Sequence, residues 1–223
     1  MNQVSLGRTQ LVVPQLAFGA LPIQRASMQD ASRLLRAAFA AGIRFFDTAR
    51  AYSDSEEKIG NALADVRSQI VIATKTTATD AAGARRDLET SLTKLRTDYV
   101  DIIQLHNPEK IPQPEDEGSA YAALSSARRQ GLVRFIGITN HRAAVAREAV
   151  ASGLFDTLQF PLSHISPAED LSLVEHCRRH EVGFIAMKAL CGGLLALNQM
   201  VSSGTRSCRR CIFVRGSQGI VNW

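Results

Sequence analysis

The sequence predicts a parallel α/β barrel built from alternating strands and helices. Three observations predict it. Short apolar runs alternate with helix-spaced apolar stripes at roughly 20–35 residues per unit. Polar residues able to do chemistry recur where those runs end: Asp47, Lys75, His106, Asn140, Gln159 and Lys188. No G-x-G-x-x-G follows the first strand, as an open dinucleotide-binding sheet would want. In an open sheet the first and last of those polar residues would lie several strands apart, at about 4.8 Å per strand. In a closed barrel they all ring one axis at the strands' C-terminal ends, where parallel α/β proteins place their chemistry. The expected architecture is therefore a (βα)8 TIM barrel, with seven readable strands and an incomplete C-terminal end.

The elements follow in order. Leu11-Val12-Val13 suits a short N-terminal hairpin, and Leu16 to Ala20 is the first core strand. Ser27 is an N-cap with Asp30 three residues on, Leu34, Leu35, Ala38 and Phe39 form the stripe, and Gly42 ends that helix. The run Ile43 to Phe46 then delivers Asp47. Ile59, Leu63 and Val66 mark a helix, and the strand Ile70 to Thr74 delivers Lys75. Leu88, Leu92 and Leu95 mark the next helix, and Val100 to Leu105 delivers His106. Tyr121, Leu124 and Ala127 lead through Gly131 to a strand at Val133 to Ile138. A helix at Ala144 to Ala151 closes near Gly153, before a short strand at Leu158 to Phe160. Ser166-Pro167 opens a helix with proline at its first position, continuing through Leu171, Val174 and Cys177. Val182 to Ala186 is the seventh strand. Beyond Gln199 the rhythm stops, Ile212-Phe213-Val214 is the candidate eighth strand, and no eighth helix follows before Trp223. The chain reads as a single domain over 1–223, regular to about residue 195, with an atypical tail over 200–223.

Composition narrows the function class. The 223 residues suffice for one sizeable core, and 45% apolar with 21% charged is ordinary for a globular protein. The net charge is +5, but the basic residues are scattered and lack interleaved aromatics, which argues against a nucleic-acid partner. A modest positive field suits a phosphorylated cofactor. No apolar run approaches membrane-spanning length and no N-terminal signal pattern is present, so no membrane role is expected. Cys177, Cys191, Cys208 and Cys211 all lie in the last quarter and make no disulfide framework, which implies a reducing, cytoplasmic setting.

The stretch Asp47-Thr48-Ala49-Arg50-Ala51-Tyr52 sets an acid and a phenol at one strand end, and the next two strands add Lys75 and His106. A phenol ordinarily titrates near pH 10. A neighbouring ammonium favours the phenolate and lowers that value, and Lys75 is the candidate. A buried lysine needs an anion, and Asp47 is the candidate. His106 supplies a donor. Tyr52 and His106 can then converge on one oxygen, which suits protonation of a carbonyl as a hydride reaches its carbon. Taken singly, each has a bland role: Asp47 as a loop cap, Tyr52 as packing, Lys75 as a solvated strand end, His106 as a loop histidine. Their joint arrival on three successive strands favours a site.

Asp-Thr-Ala-x-x-Tyr, the Lys75 strand, Asp98 to His106, Gly137 to His141 and the Gln159 strand together resemble the aldo-keto reductase family, over about residues 1–195. The resemblance implies a (βα)8 barrel that reduces an aldehyde or ketone with NADPH and uses no catalytic metal. It implies Tyr52 as general acid, tuned by Lys75 and Asp47, with His106 orienting the carbonyl. It implies Thr139, Asn140 and Gln159 around the nicotinamide carboxamide, with Gly19, Met187 and Lys188 also on the cofactor side. Leu21 and Pro108 would line the pocket for the small carbonyl substrate. Many members carry an aromatic where Met187 stands. Met-Lys-x-Leu-x-Gly-Gly resembles a branch that often carries a C-terminal iron–sulfur extension, but Cys208 and Cys211 are too few ligands for one and read as incidental thiols. Arg215 is the nearest basic residue for the cofactor's 2′-phosphate, in a context that does not match. His141 and His164 read as loop or cap residues. Two other readings stand beside the reductase: a cofactor-binding regulatory barrel without useful turnover, and a truncated, inactive reductase.

Overall fold

The computed structural model describes residues 2–163 and 165–189, and the backbone alone of 212–216. An antiparallel hairpin, β1 (Gln3–Ser5) and β2 (Val12–Pro14), precedes the barrel. The barrel strands are β3 (Leu16–Gly19), β4 (Phe45–Asp47), β5 (Val71–Thr76), β6 (Val100–His106), β7 (Val133–Thr139), β8 (Thr157–Pro161), β9 (Gly183–Met187) and β10 (Ile212–Gly216). They are parallel and close in that order, because β10 pairs with β9 through Ile212 and Phe213 and with β3 from Phe213 to Gly216. The doubtful eighth strand is thus in place, two residues longer than its apolar core suggested. Neither β3 nor β9 is left with the free edge that an unfilled slot would have exposed.

Six α-helices alternate with the strands among the described residues: α1 (Met28–Ala40), α2 (Ser55–Leu63), α3 (Ala81–Leu95), α4 (Ala120–Arg129), α5 (Ala143–Ala151) and α6 (Ala168–Arg179). Three begin on side-chain caps: Ser27 accepts from the Asp30 amide, Asp80 from Gly83 and Ser119 from Ala122. Gly42 and Gly131, at φ of 93° and 78°, take the left-handed turn just past α1 and α4. Several boundaries shift by one or two residues from the expectation, and other differences have local causes. Pro167 is the N-cap of α6 rather than its first residue, its ψ of 161° being extended. Val66 lies in a 3-10 segment, Ala64–Gln69, because the chain must bend to enter β5. Ile43 and Arg44 precede β4: the Ile43 amide still bonds back to the Ala38 carbonyl of α1. Among the described residues no helix is long and apolar enough to cross a membrane.

Strand alternation sorts the side chains onto two surfaces. Phe18, Phe46, Ile72, Ile103, Ile136, Ile138, Leu158 and Phe184 face outward and pack under the helices. Ala17, Phe45, Ala73, Ile102 and Ile185 face inward and meet Val4, Leu6, Leu11 and Val13 of the hairpin, which plugs the N-terminal end. Complete burial of a large apolar side chain stabilises by about 1.5–3 kcal/mol, and Phe18, Phe45 and Phe46 are all buried to this degree. One step further toward the strands' C-terminal ends, the inward residues turn polar: Asp47, Lys75, Gln104, Thr139, Thr157 and Gln159, each no more than 4% exposed. The lower interior is therefore an apolar plug and the upper interior a water-poor polar chamber.

Candidate active site

Asp47 ends β4, Lys75 lies on β5 and His106 ends β6, so alternation aims all three into the chamber. The Lys75 Nζ donates to Asp47 Oδ1 and Oδ2, both at 2.8 Å, and to the Thr48 carbonyl at 2.6 Å. An ammonium has three protons, and all three are thereby committed. Asp47 also accepts from the amide of Gln104 at 3.4 Å and from that of Gln159 at 3.2 Å. Burial lowers the Lys75 pKa, opposed by the attraction and hydrogen bonding of Asp47.

Tyr52 lies in the loop between β4 and α2, which is fastened on several sides. The Thr48 amide donates to the Ala73 carbonyl at 2.8 Å and the Arg50 amide to that of Lys75 at 3.0 Å. Ser55 Oγ bonds Thr48 Oγ1 at 2.9 Å and the Ala20 carbonyl at 3.1 Å. Glu56, fully buried, pairs with Arg50 and accepts from Thr74 at 2.6 Å and from Ser91 at 2.7 Å. Lys58, 2% exposed, donates to the Ile23 carbonyl at 3.0 Å and to Asp54 at 2.8 Å. So fastened, the Tyr52 ring stands edge-on to the His106 ring, with centroids 5.8 Å apart at 82°, and its face lies 5.2 Å from Lys75 Nζ.

Sequence reasoning thus brings Asp47, Tyr52, Lys75 and His106 together correctly, but the expected tuning of Tyr52 needs correction. Burial raises the phenol above its ordinary value, and the Asp47 carboxylate raises it further. The physical reason is that Lys75 spends its three protons on Asp47 and Thr48. Its charge is offset there by Asp47, so burial and the carboxylate outweigh its pull on the phenol. His106 moves the other way: burial first, then the Lys75 charge, pull it to about 4. The imidazole is neutral at physiological pH, and its buried Nδ1 has no partner among the described residues.

The remaining predicted residues fall around the same mouth. Thr139 and Gln159 are register neighbours on β7 and β8, and Asn140 follows Thr139. Asn140 Nδ2 donates to the Pro108 carbonyl at 2.9 Å and its Oδ1 accepts from the Arg142 amide at 2.8 Å, so it also braces two loops. Thr139 Oγ1 accepts from the Asn107 amide at 3.0 Å. Gly19 pairs in register with Asp47 and with Gly216. Leu21, 47% exposed, opens a 3-10 turn after β3, and Pro108 is half-buried after β6. Met187 is half-buried at the end of β9, and Lys188 is exposed. Ser53, Asn107 and Lys188 adopt positive φ of 41°, 56° and 57°, so three of the loops at this mouth hold a non-glycine residue in the left-handed region. His141 is an exposed loop residue whose amide bonds Asn107 at 3.3 Å. His164, Cys191, Cys208, Cys211 and the side chain of Arg215 lie outside the described residues.

Sequence reasoning missed Gln104, Glu56 and Lys58. Gln104 sits between apolar neighbours and its even spacing from His106 was the available signal. Ser-Glu-Glu-Lys reads as an exposed helix start, and nothing local says that Glu56 and Lys58 are covered.

Comparison with known proteins fits this arrangement. Residues 15–207 match the family model described as the aldo/keto reductase family. Over 210 residues the chain is 30% identical to L-galactose dehydrogenase of Arabidopsis thaliana, covering 86% of this chain and 66% of that protein. Over 132 residues it is 37% identical to methylglyoxal reductase DkgA of Yersinia pestis, covering 58% of this chain and 46% of that one. The chain thus spans from under half to about two thirds of these relatives. The crystal structure of an aldo-keto reductase from Klebsiella pneumoniae in complex with NADPH superposes with a TM-score of 0.72 at 26% identity, covering 83% of this chain and 66% of that one. Fold, chamber and family match agree, and the chain belongs to the aldo/keto reductase family.

Proposed function

We propose that this chain is the barrel of an NADPH-dependent oxidoreductase that reduces an aldehyde or ketone, with Tyr52 as general acid. The single observation that carries the reading is the chamber itself. A half-buried phenol and a neutral imidazole stand edge to face over a fully committed Lys75–Asp47 pair. The residues present also suit the cofactor. Thr139, Asn140 and Gln159, all buried, offer the hydroxyl and amide groups that a carboxamide matches, and the buried His106 Nδ1 has no partner among the described residues. The NADPH complex of the Klebsiella relative supports the same choice. Lys188 and Arg142 bring positive charge to that rim, and Lys188 acts electrostatically on His141.

When bound, NADPH supplies the hydride. The chain's own residues handle the proton. Tyr52 holds its proton firmly and donates a hydrogen bond to the carbonyl oxygen. As negative charge develops there, that oxygen becomes a stronger base than a phenolate, and the proton passes to it. His106, uncharged, donates its one N–H to the same oxygen. Lys75 keeps positive charge beneath the phenolate that forms. The hairpin plug and the apolar lower layer close the chamber to water from the N-terminal end, which strengthens each of these interactions. The raised Tyr52 pKa favours reduction over alcohol oxidation, since oxidation needs the phenolate as base. The acceptor is a small carbonyl compound admitted past Leu21 and Pro108, and a cytoplasmic setting belongs to the same proposal.

The test is a titration of the purified chain with NADPH by nicotinamide fluorescence, followed by turnover on a panel of small aldehydes and ketones. Binding with turnover is the expected result. Binding without turnover on any carbonyl would replace the reductase reading with a regulatory one, and absence of binding would overturn it.

A further inference from the structure

We infer that Gln104 is a positioning residue that sets the Asp47 carboxylate and the Gln159 amide together, so that one side chain ties the catalytic ion pair to the cofactor's seat. The inference rests on the reductase reading above.

The chemistry of the groups fixes how they point. A carboxylate only accepts, so any amide touching Asp47 must offer its NH2. Gln104 Nε2 does so at 3.4 Å and Gln159 Nε2 at 3.2 Å, one to each oxygen. The second proton of Gln104 goes to Gln159 Oε1 at 3.1 Å. The three side chains close a ring. Within it, the oxygen of Gln159 accepts from Gln104 and one of its N–H groups donates to Asp47. What Gln159 has left is one N–H and one lone pair of its oxygen, in directions decided by Gln104.

Gln104 itself is fully buried, and its Oε1 has no partner among the described residues. An unpaired buried oxygen costs stability, and a methionine or leucine would fill the space without that cost. The arrangement uses the nitrogen of this residue and leaves the oxygen idle, which is the pattern of a side chain kept for what its NH2 holds. The surroundings make room for it. Gln104 pairs in register with Lys75 on one side and Gly137 on the other. A Cβ at 137 would come within 3.2 Å of Gln104 Cγ and 2.2 Å of Thr157 Oγ1, so the glycine leaves the space the amide occupies.

The experiment is a double-mutant cycle on Gln104→Met and Gln159→Met, read by NADPH titration of each folded variant and by the pH profile of kcat. Methionine keeps length and apolar volume and removes the amide. Gln104→Met is expected to weaken NADPH binding about 3–10-fold, the size of one hydrogen bond. The double variant should bind no worse than Gln159→Met alone, because the two changes break the same link. The alkaline limb of kcat should move to lower pH in Gln104→Met, since Asp47 is then held less well against the buried Lys75 ammonium. Gln104→Asn keeps an amide and should fall between the wild type and Met; should Met not fold, the same cycle run with Asn decides. Additive losses, or unchanged NADPH affinity with an unmoved alkaline limb, would overturn the inference while the reductase reading stands. A wild-type chain that does not bind NADPH overturns both.

Discussion

Replacing Asp47 with asparagine removes one charge and almost no volume, at a place where the counter-charge cannot leave. Lys75 is 2% exposed and gives two of its three hydrogen bonds to the Asp47 carboxylate. Breaking a buried pair by deleting one partner costs about 3–5 kcal/mol, against a net stability of about 5–15 kcal/mol for a whole domain. At about 2–4 °C per kcal/mol for a chain of this size, the melting temperature should fall by about 6–20 °C. Loss of the Lys75 proton sets the ceiling, because the ammonium neutralises before it stays unpaired. Lys75→Met should cost less, because Asp47 keeps the Gln104 and Gln159 amides at 3.4 and 3.2 Å. The double variant Asp47→Asn/Lys75→Met should recover most of the stability, since an uncharged pair leaves no buried ion. It should recover none of the carbonyl reduction. The assay is thermal unfolding of the four proteins beside their turnover numbers. An Asp47→Asn chain that melts like wild type, or a double variant that reduces carbonyls normally, would refute the idea that this pair is buried, coupled and required.

Two further outcomes follow from the same structure. His106 titrates at about 4 when folded and near its ordinary 6.5 when unfolded. Between those values the unfolded chain binds the proton and the folded one does not, so stability should fall as pH drops through that window; His106→Gln should flatten that dependence in denaturant midpoints measured from pH 7 to 4. Gly137→Ala places a methyl 2.2 Å from Thr157 Oγ1 and should destabilise by about 1–3 kcal/mol, the usual cost of overpacking; an unchanged urea midpoint would mean that β7 and β8 yield at that point.

Much of this was legible because it is periodic. Strand runs that end on Asp47, Lys75 and His106 need no tertiary knowledge, since a parallel fold brings successive strand ends together. The Ser27 cap and the Gly42 and Gly131 stops are equally local. What escaped was decided by neighbours distant in sequence. Ile212-Phe213-Val214 is only three apolar residues after a stretch without a helical stripe, and pairing with Leu16 and Ile185 on either side gives it its place. Glu56 and Lys58 look like solvated helix residues until α3 and the Ile23 turn cover them. The tuning of Tyr52 was misjudged for a related reason. The expectation paired Lys75 with Asp47 yet weighed only the ammonium's pull on the phenol, whereas burial and the Asp47 carboxylate both raise it. Which residues meet was readable; how a shared proton set is divided among them required distances.

The claim at the centre is that Tyr52 supplies the proton. The direct measurement is Tyr52→Phe, with single-turnover reduction of an aldehyde and NADPH affinity determined on the same preparation. Losing one general acid commonly costs about 10²–10⁴-fold in rate. The account predicts a loss of that size with NADPH affinity unchanged, because the phenol oxygen touches the substrate rather than the residues proposed for the cofactor. A phenylalanine variant that reduces the aldehyde at close to the wild-type rate would contradict it.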